Sequence, residues 1–350
     1  MALDPRVRHM ELMRQSRFTM RMGQGEDFTR WQARARERLT ALLGLPMERA
    51  EEDHFRIEWT RQTDPACTEI RFLFTSEPDV DVVCHLLLPG NAPQEKLPLV
   101  ICLQGHSKGM HISLGRPIYE GDEDKISGGD RDFARQIAAR GQAALAIEQR
   151  GFGERGGTPE GPACLHPALQ ALLLGHTLIG ERCWDVSRAI DVVAAHFPLI
   201  DTSRIAVMGN SGGGTAAIYS AAIDTRIAAA MPSCAFCGYA ASIGVRRHCA
   251  CNYIPGIAQE FDMGDLAGLI APRPLIVVNG REDGLFPLES AKEQMEIART
   301  YYQAAGSPGR IEHVIGPEGH RFYAALAWPV FDILTGWKNG EKEESQTIFS

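Results

Sequence analysis

The stretch from Arg204 to Ala217, Arg-Ile-Ala-Val-Met-Gly-Asn-Ser-Gly-Gly-Gly-Thr-Ala-Ala, constrains the fold of this chain more than any other. Ile205 to Met208 is an apolar run suited to a strand buried on both faces. The small residues after it suit a helix packed close on that sheet. Between them stands Gly209-Asn210-Ser211-Gly212-Gly213, a Gly-x-Ser-x-Gly pattern at a strand-to-helix junction. A turn this sharp strains its central residue, and the flanking glycines remove the Cβ atoms that would collide. The expected result is a Ser211 hydroxyl thrust above the strand ends, with the Gly212 amide beside it at the positive end of the helix dipole. Such a hydroxyl becomes a nucleophile when a base and an orienting group reach it from elsewhere in the chain.

Candidates for both follow other apolar runs. Pro274 to Asn279 reads as a buried strand and leads into Gly280-Arg281-Glu282-Asp283-Gly284, where Asp283 is placed to orient an imidazole and Glu282 is its rival. Arg310 to Ile315 is the last strand, and Gly319-His320 follows it in a glycine-flanked loop. His320 is the expected base, whereas His313 lies within the strand and reads as structural. Leu97 to Leu103 runs into Gln104-Gly105-His106, a loop able to bring the His106 amide toward that of Gly212 as a second oxyanion donor. The His106 ring is a rival base. Gln142 to Ile147 leads into Glu148-Gln149-Arg150-Gly151-Phe152-Gly153, which lacks the lysine of a phosphate loop and the third glycine of a dinucleotide fingerprint. No cofactor is expected, and Arg150 either anchors its loop or lines the acid side of a pocket.

Asp27 caps a predicted helix with Phe28, Trp31, Ala35, Leu39 and Leu42 on one stripe, ending near Gly44 and Pro46. Thr68 to Pro89 alternates as a pair of antiparallel edge strands, and Leu178 to Phe197 reads as an amphipathic helix. Met110 to Asp132 reads as an irregular loop without ordered ligand spacing. Arg226 to Met231 is a further core strand. After it, residues 233–265 read as a cap segment lining the pocket with side chains such as Phe236 and Tyr253. Cys234, Cys237, Cys249 and Cys251, beside His248, suggest zinc, but a Cys-x-Cys gap suits one tetrahedral ion poorly. No metal is expected there. Nine cysteines, two of them inside predicted strands, read as reduced thiols in a cytoplasmic setting.

A net charge of −8 argues against nucleic acid or an anionic membrane as partner. No apolar run approaches the roughly 18 residues of a spanning helix. The arginines between Met1 and Met22 faintly resemble a transit peptide but read better as a solvated helix or arm.

The order Ser211, Asp283, His320, each in a loop after an apolar strand, is the chain order of the α/β-hydrolase triad. Over residues 65–340 the chain resembles the dienelactone-hydrolase-like and acetyl xylan esterase group, which includes the cephalosporin C deacetylases. The likeness is carried by Gln104-Gly105-His106, Glu148 to Gly153, the Ser211 turn, Gly280 to Pro287 and Gly319-His320. Dienelactone hydrolases proper use a cysteine where this chain has Ser211, and the usual His-Gly of the oxyanion loop is here Gln104-Gly105. The resemblance implies an α/β-hydrolase fold, a mostly parallel sheet with helices on both faces; outside and within it, residues 1–64 read as an N-terminal helical extension, the cap-like insertion comes after the sixth strand, and residues 341–350 read as a C-terminal tail. The resemblance further implies a serine carboxylesterase without cofactor, acting on short acyl esters, acetyl first, of a carbohydrate or similar small molecule. Multimers are common in the group, so a homo-oligomer is expected. Two other readings stay open. One is a serine peptidase of the prolyl-oligopeptidase kind, for whose propeller residues 1–64 are too short; the other is a non-catalytic binding protein on the same scaffold.

Overall fold

Short apolar runs with no polar face can be satisfied only in the middle of a layered sheet. In the computed structural model, which describes residues 3–63, 67–90 and 96–337, they form one nine-stranded sheet in the order β1-β2-β3-β5-β4-β6-β7-β8-β9. The 341–350 tail lies outside the described residues. The strands are β1 (Arg56–Thr63), β2 (Cys67–Glu77), β3 (Val80–Pro89), β4 (Leu97–Leu103), β5 (Ala143–Ile147), β6 (Ile200–Asn210), β7 (Ile227–Ser233), β8 (Leu275–Gly280) and β9 (Ile311–Gly316). β1 to β3 are antiparallel and β3 joins β5 antiparallel, while β5, β4, β6, β7, β8 and β9 run parallel.

The helices are α1 (Pro5–Arg14), α2 (Phe28–Leu42), α3 (Asp122–Ile126), α4 (Phe133–Ala139), α5 (Leu165–Leu173), α6 (Leu178–His196), α7 (Gly212–Ile223), α8 (Ile257–Glu260), α9 (Met263–Ile270), α10 (Leu288–Ala304) and α11 (Ala324–Thr335). Alternate residues of each central strand enter two separate cores. Ile101, Val207 and Val277 pack with α6, α7, α9 and α10, whereas Val100, Met208 and Val278 pack with α4 and α11. Asp27 caps α2 by accepting from the Arg30 amide at 2.8 Å. The buried Trp31 stacks on Tyr301 with ring centroids 4.3 Å apart, fastening the N-terminal region to α10. Among the described residues no helix is long and apolar enough to cross a membrane.

Three expectations change. Residues 1–64 supply the edge strand β1 as well as helices, so the cap-like insertion follows the seventh strand of the sheet. β2 and β3 are interior strands rather than edge strands, and Glu69 on β2 is buried, ion-paired with Arg61 and Arg116. The segment 110–132 contains a turn of 3-10 helix at Met110–Ile112 and the short α3. α5 went unread in the sequence.

Candidate active site

The parallel strands end level with one another. Leu103 pairs with Gly209, Asn210 with Ser233, Ser233 with Val278 and Gly280 with Gly316, so the residues just after each strand share one carboxyl edge of the sheet. Ser211, the loop 104–106, Asp283 and His320 all lie on that edge.

Ser211 has φ +56° and ψ −122°, backbone angles that a non-glycine residue adopts only under constraint. The constraint is close packing. Ser211 donates its amide to Ser233 O at 2.8 Å, and a Cβ on Gly209 would stand 2.5 Å from both Gly213 O and Leu103 O. A Cβ on Gly105 would stand 2.5 Å from Asn210 O, so the loop after β4 lies directly on the turn. The hydroxyl does not cap α7 and makes no hydrogen bond among the described residues. α7 itself is buried along nearly its whole length.

Asp283 and His320 meet as a pair. His320 Nδ1 lies 2.8 Å from Asp283 Oδ2, while Asp283 Oδ1 accepts the amides of Leu285 at 2.8 Å and Phe286 at 3.1 Å. Burial acts to raise the Asp283 carboxyl. The hydrogen bond and charge of His320 and the two amides outweigh it and hold the group below its usual range. The loops that carry the pair are clipped together, Arg281 donating to Gly316 O and Glu282 to Glu318 O, each at 2.9 Å. Glu282, the rival orienter, points outward and is exposed. Phe286 lies against the imidazole face at a centroid distance of 6.0 Å. The Cys234 thiol comes within 4.8 Å of both Asp283 and His320, and burial pushes it up to about 12, so it stays a neutral thiol beside the carboxylate. In this resting geometry the hydrogen bond between Ser211 Oγ and the imidazole is not formed; catalytic hydrogen bonds commonly tighten only in the substrate complex.

The His106 ring, the rival base, packs over Gly212: a Cβ there would stand 2.6 Å from Nδ1. Its Nε2 lies 3.1 Å from Cys251 Sγ, which directs the ring toward a thiol cluster. The amides of His106 and Gly212 donate no hydrogen bond within the chain among the described residues. His313 is structural, bound to Asn279 Oδ1 at 3.0 Å and pushed down to about 4 by burial and then by the charges of Arg299 and Lys292.

Of the possible pocket residues Gln104, Arg150, Phe236 and Tyr253, the first three are held elsewhere, Arg150 in the anchoring role that was one of its two readings. Gln104 is buried and folds onto its own loop, its Oε1 accepting the Gly105 amide at 2.9 Å and its Nε2 donating to Ser113 at 3.3 Å. Arg150 turns away from the site into a buried ion cluster with Asp185 at 2.8 Å, Glu181 at 3.2 Å and Glu77, so it anchors its loop. Phe236 belongs to the core and is fully buried. Tyr253 remains half-exposed and lines a cavity of about 650 Å³ with Leu165, Leu169, Arg247 and His248. His248 packs edge-on against Phe286, which places this cavity beside the imidazole. The cysteine grouping also differs: Cys234 goes to the Asp283 pair, Cys237 is buried against Phe286 and Ala291, and Cys249 and Cys251 join Cys164 and His106.

Glu148, unremarked in the sequence, sits buried behind the 104–109 loop and accepts the Met110 amide at 3.1 Å. Burial, reinforced by Glu154 and opposed by the Met110 amide and Arg155, pushes its carboxyl up to about 8. An acid that holds its proton more tightly folded than unfolded loses folding stability as pH rises from 4.5 toward about 8. Glu148→Gln, a neutral isostere, is therefore expected to match the native protein near pH 5 and to exceed it by a few kcal/mol above pH 8. Urea unfolding at the two pH values checks this, and parallel stability curves would contradict it.

Comparison with known proteins gives a consistent neighbourhood. A family model of fungal glucuronyl esterases matches residues 177–246. The Bacillus subtilis (strain 168) protein named "Putative hydrolase YtaP" is 26% identical over 281 residues, 77% of this chain and 92% of its own length. Among solved structures, a putative acetyl xylan esterase from Bacteroides fragilis superposes with a TM-score of 0.74 at 17% identity, covering 90% of this chain and 83% of that one. A glucuronoyl esterase from Solibacter usitatus superposes at 0.71 and 16% identity, covering 92% and 97%.

Proposed function

Proceeding from the α/β-hydrolase fold that these superpositions establish, we propose that this chain is a serine carboxylesterase that cleaves short acyl esters, acetyl first, of a carbohydrate or a similar polar alcohol. The observation that carries the reading is the hydrogen-bonded Asp283–His320 pair on the sheet edge that also holds the strained Ser211 turn. The likeness to acetyl xylan and glucuronoyl esterases supports a carbohydrate ester as substrate.

In this reading His320 Nε2 takes the Ser211 proton as Oγ attacks the ester carbonyl. Asp283 accepts from Nδ1 throughout, fixing the tautomer and stabilising the imidazolium. The amides of Gly212 and His106 receive the oxyanion, aided by the N-terminal dipole of α7. His320 then protonates the departing alcohol, and an acyl group remains on Ser211. Water, deprotonated by the same imidazole, attacks that acyl-enzyme and releases acid and free Ser211. The cavity beside His248, of about 650 Å³ and lined by Leu165, Leu169, Leu172 and Arg247, has room for a polar alcohol moiety.

A panel of p-nitrophenyl acetate, butyrate and octanoate, acetylated xylan, a methyl ester of glucuronic acid and aminoacyl-p-nitroanilides tests the reading. The expected order is turnover of acetate above octanoate, release of acid from at least one sugar ester, and no anilide cleavage. Anilide cleavage without ester turnover would replace it with a peptidase. A fluorophosphonate is expected to label Ser211, and His320→Ala to abolish the labelling. A chain that neither turns over esters nor takes the label would be a binding protein on this scaffold.

A further inference from the structure

His106, Cys164, Cys249 and Cys251 come from three distant parts of the chain. They are the loop after β4, the residue preceding α5, and the insertion after β7. Their ligand atoms, one imidazole nitrogen and three thiols, all lie within 4.8 Å of one another. We propose that this cluster is a tetrahedral zinc site with a three-thiolate, one-imidazole shell.

The donor set is the first argument. Cysteine sulfur and histidine nitrogen in a three-to-one ratio is a standard closed shell for structural zinc, and soft thiolates disfavour magnesium or calcium. Size is the second. With Zn–S at about 2.3 Å and Zn–N at about 2.0 Å, tetrahedral ligand atoms stand roughly 3.5 to 3.8 Å apart, so the cluster closes on an ion with adjustments of about an ångström per pair, the His106–Cys251 pair opening slightly and the wider pairs contracting. His106 Nε2 and Cys251 Sγ are already 3.1 Å apart.

Charge is the third. Three thiolates around Zn²⁺ leave one net negative charge, and the buried guanidinium of Arg182 stands against it, its Nη2 3.2 Å from Cys164 Sγ. Arg182 Nη1 is buried and has no hydrogen-bond partner among the described residues. A buried donor without a partner costs free energy, and an anionic metal–thiolate cluster would supply its acceptor. Phe152, Ala168 and Leu178 wrap the group in apolar surface, while Cys164 and Cys249 open onto the cavity of about 650 Å³ and provide the entry path. Binding forms three Zn–S bonds and one Zn–N bond and releases the three thiol protons to solvent. No electron is transferred. The Cys-x-Cys gap, unfavourable if both neighbours must be completed locally, is accommodated because Cys164 and His106 supply the other two corners.

The site lies directly behind the Gly212 turn, on which the His106 ring rests. An ion there pins the insertion after β7 to the loop after β4. Zinc binding is read without substrate, so it succeeds or fails independently of the esterase reading.

The test uses the full, untagged chain purified under a phosphine reductant. Zinc content is expected at one equivalent per chain. Replacement by Co²⁺ is expected to give thiolate-to-cobalt charge-transfer bands with intense tetrahedral d–d absorption. Cys249→Ser, at the one thiol of the set that is not fully buried, is expected to weaken zinc binding at least tenfold and to lower the charge-transfer intensity per bound cobalt by about a third, as one of three thiolates is lost, whereas Cys67→Ser, on β2, leaves both unchanged. Absence of bound zinc together with a cobalt titration that yields no thiolate bands in the native chain would overturn the proposal. So would a disulfide among Cys164, Cys249 and Cys251 that persists in reductant. A stoichiometric ion that survives Cys249→Ser and blocks ester turnover would instead assign the metal to Cys234, Asp283 and His320, and would overturn it too.

Discussion

Ser211→Ala is expected to lower kcat/KM for p-nitrophenyl acetate by roughly 10⁴ to 10⁶ while leaving the unfolding midpoint unchanged. The two halves of that statement come from the same local geometry. The hydroxyl makes no hydrogen bond among the described residues and does not cap α7, so its removal takes nothing from the packing seen there. The backbone strain at φ +56° is held by surrounding contacts, which alanine keeps. All the loss therefore falls on the chemistry. Asp283→Asn is expected to cost about 10⁴, because an amide oriented by Leu285 and Phe286 favours the wrong imidazole tautomer. The Ser211→Ala, Asp283→Asn double variant is expected to be no worse than Ser211→Ala, as the residues act as one unit. Activity of Ser211→Ala within tenfold of the native chain would remove Ser211 as the nucleophile.

Gly213→Ala is expected to destabilise the fold by about 3 kcal/mol or more. A Cβ at this position would overlap the Leu103 carbonyl and stand 2.8 Å from the carbonyl carbon of Gln104. Both are backbone atoms of the central β4 and its following loop. They cannot swing aside as a side chain could, so either α7 lifts from the sheet or the end of β4 shifts. Either movement also displaces the 104–106 loop from the Ser211 turn, so activity falls with stability. Gly284→Ala is the control, since nothing lies within 4 Å of the added atom. Equal denaturation midpoints for the two variants would show that the contact yields more easily than its geometry implies.

The triad candidates were legible in the sequence because each stands just after a strand carrying buried apolar residues, and strand ends in a parallel sheet converge on one edge. β1 was illegible for the opposite reason. Arg56 to Thr63 is exposed along almost its whole length and is held by pairing with β2 and by ion pairs such as Arg56–Asp81 and Glu58–Arg71, which leave no hydrophobic period to read. Gln104 and Phe236 stand in the expected loops but turn into the protein, and of the two readings of Arg150 the loop anchor holds. A side chain's direction after a strand depends on partners remote in sequence: Ser113 for Gln104, and Glu77, Glu181 and Asp185 for Arg150. Cys164 could not have been grouped with Cys249 and Cys251 from spacing, because only the packing of α5 against the 249–251 segment brings them together.

The sheet distributes the proposed machinery unevenly. Asp283 and His320 ride on β8 and β9, the outermost strands of one side, and their loops are stitched to each other; Ser211 rides on β6 with β7 between. Proton acceptor and orienter thus form a prefabricated cassette, and the nucleophile is anchored separately at the start of α7, a helix buried along nearly its whole length. Gentle shear at that margin of the sheet would widen the gap to the serine while the cassette itself stayed whole. Catalytic competence can therefore vanish under strain too mild to melt anything, and a lineage could retune or silence the enzyme through peripheral packing of β9 and α11 without touching a single reacting atom.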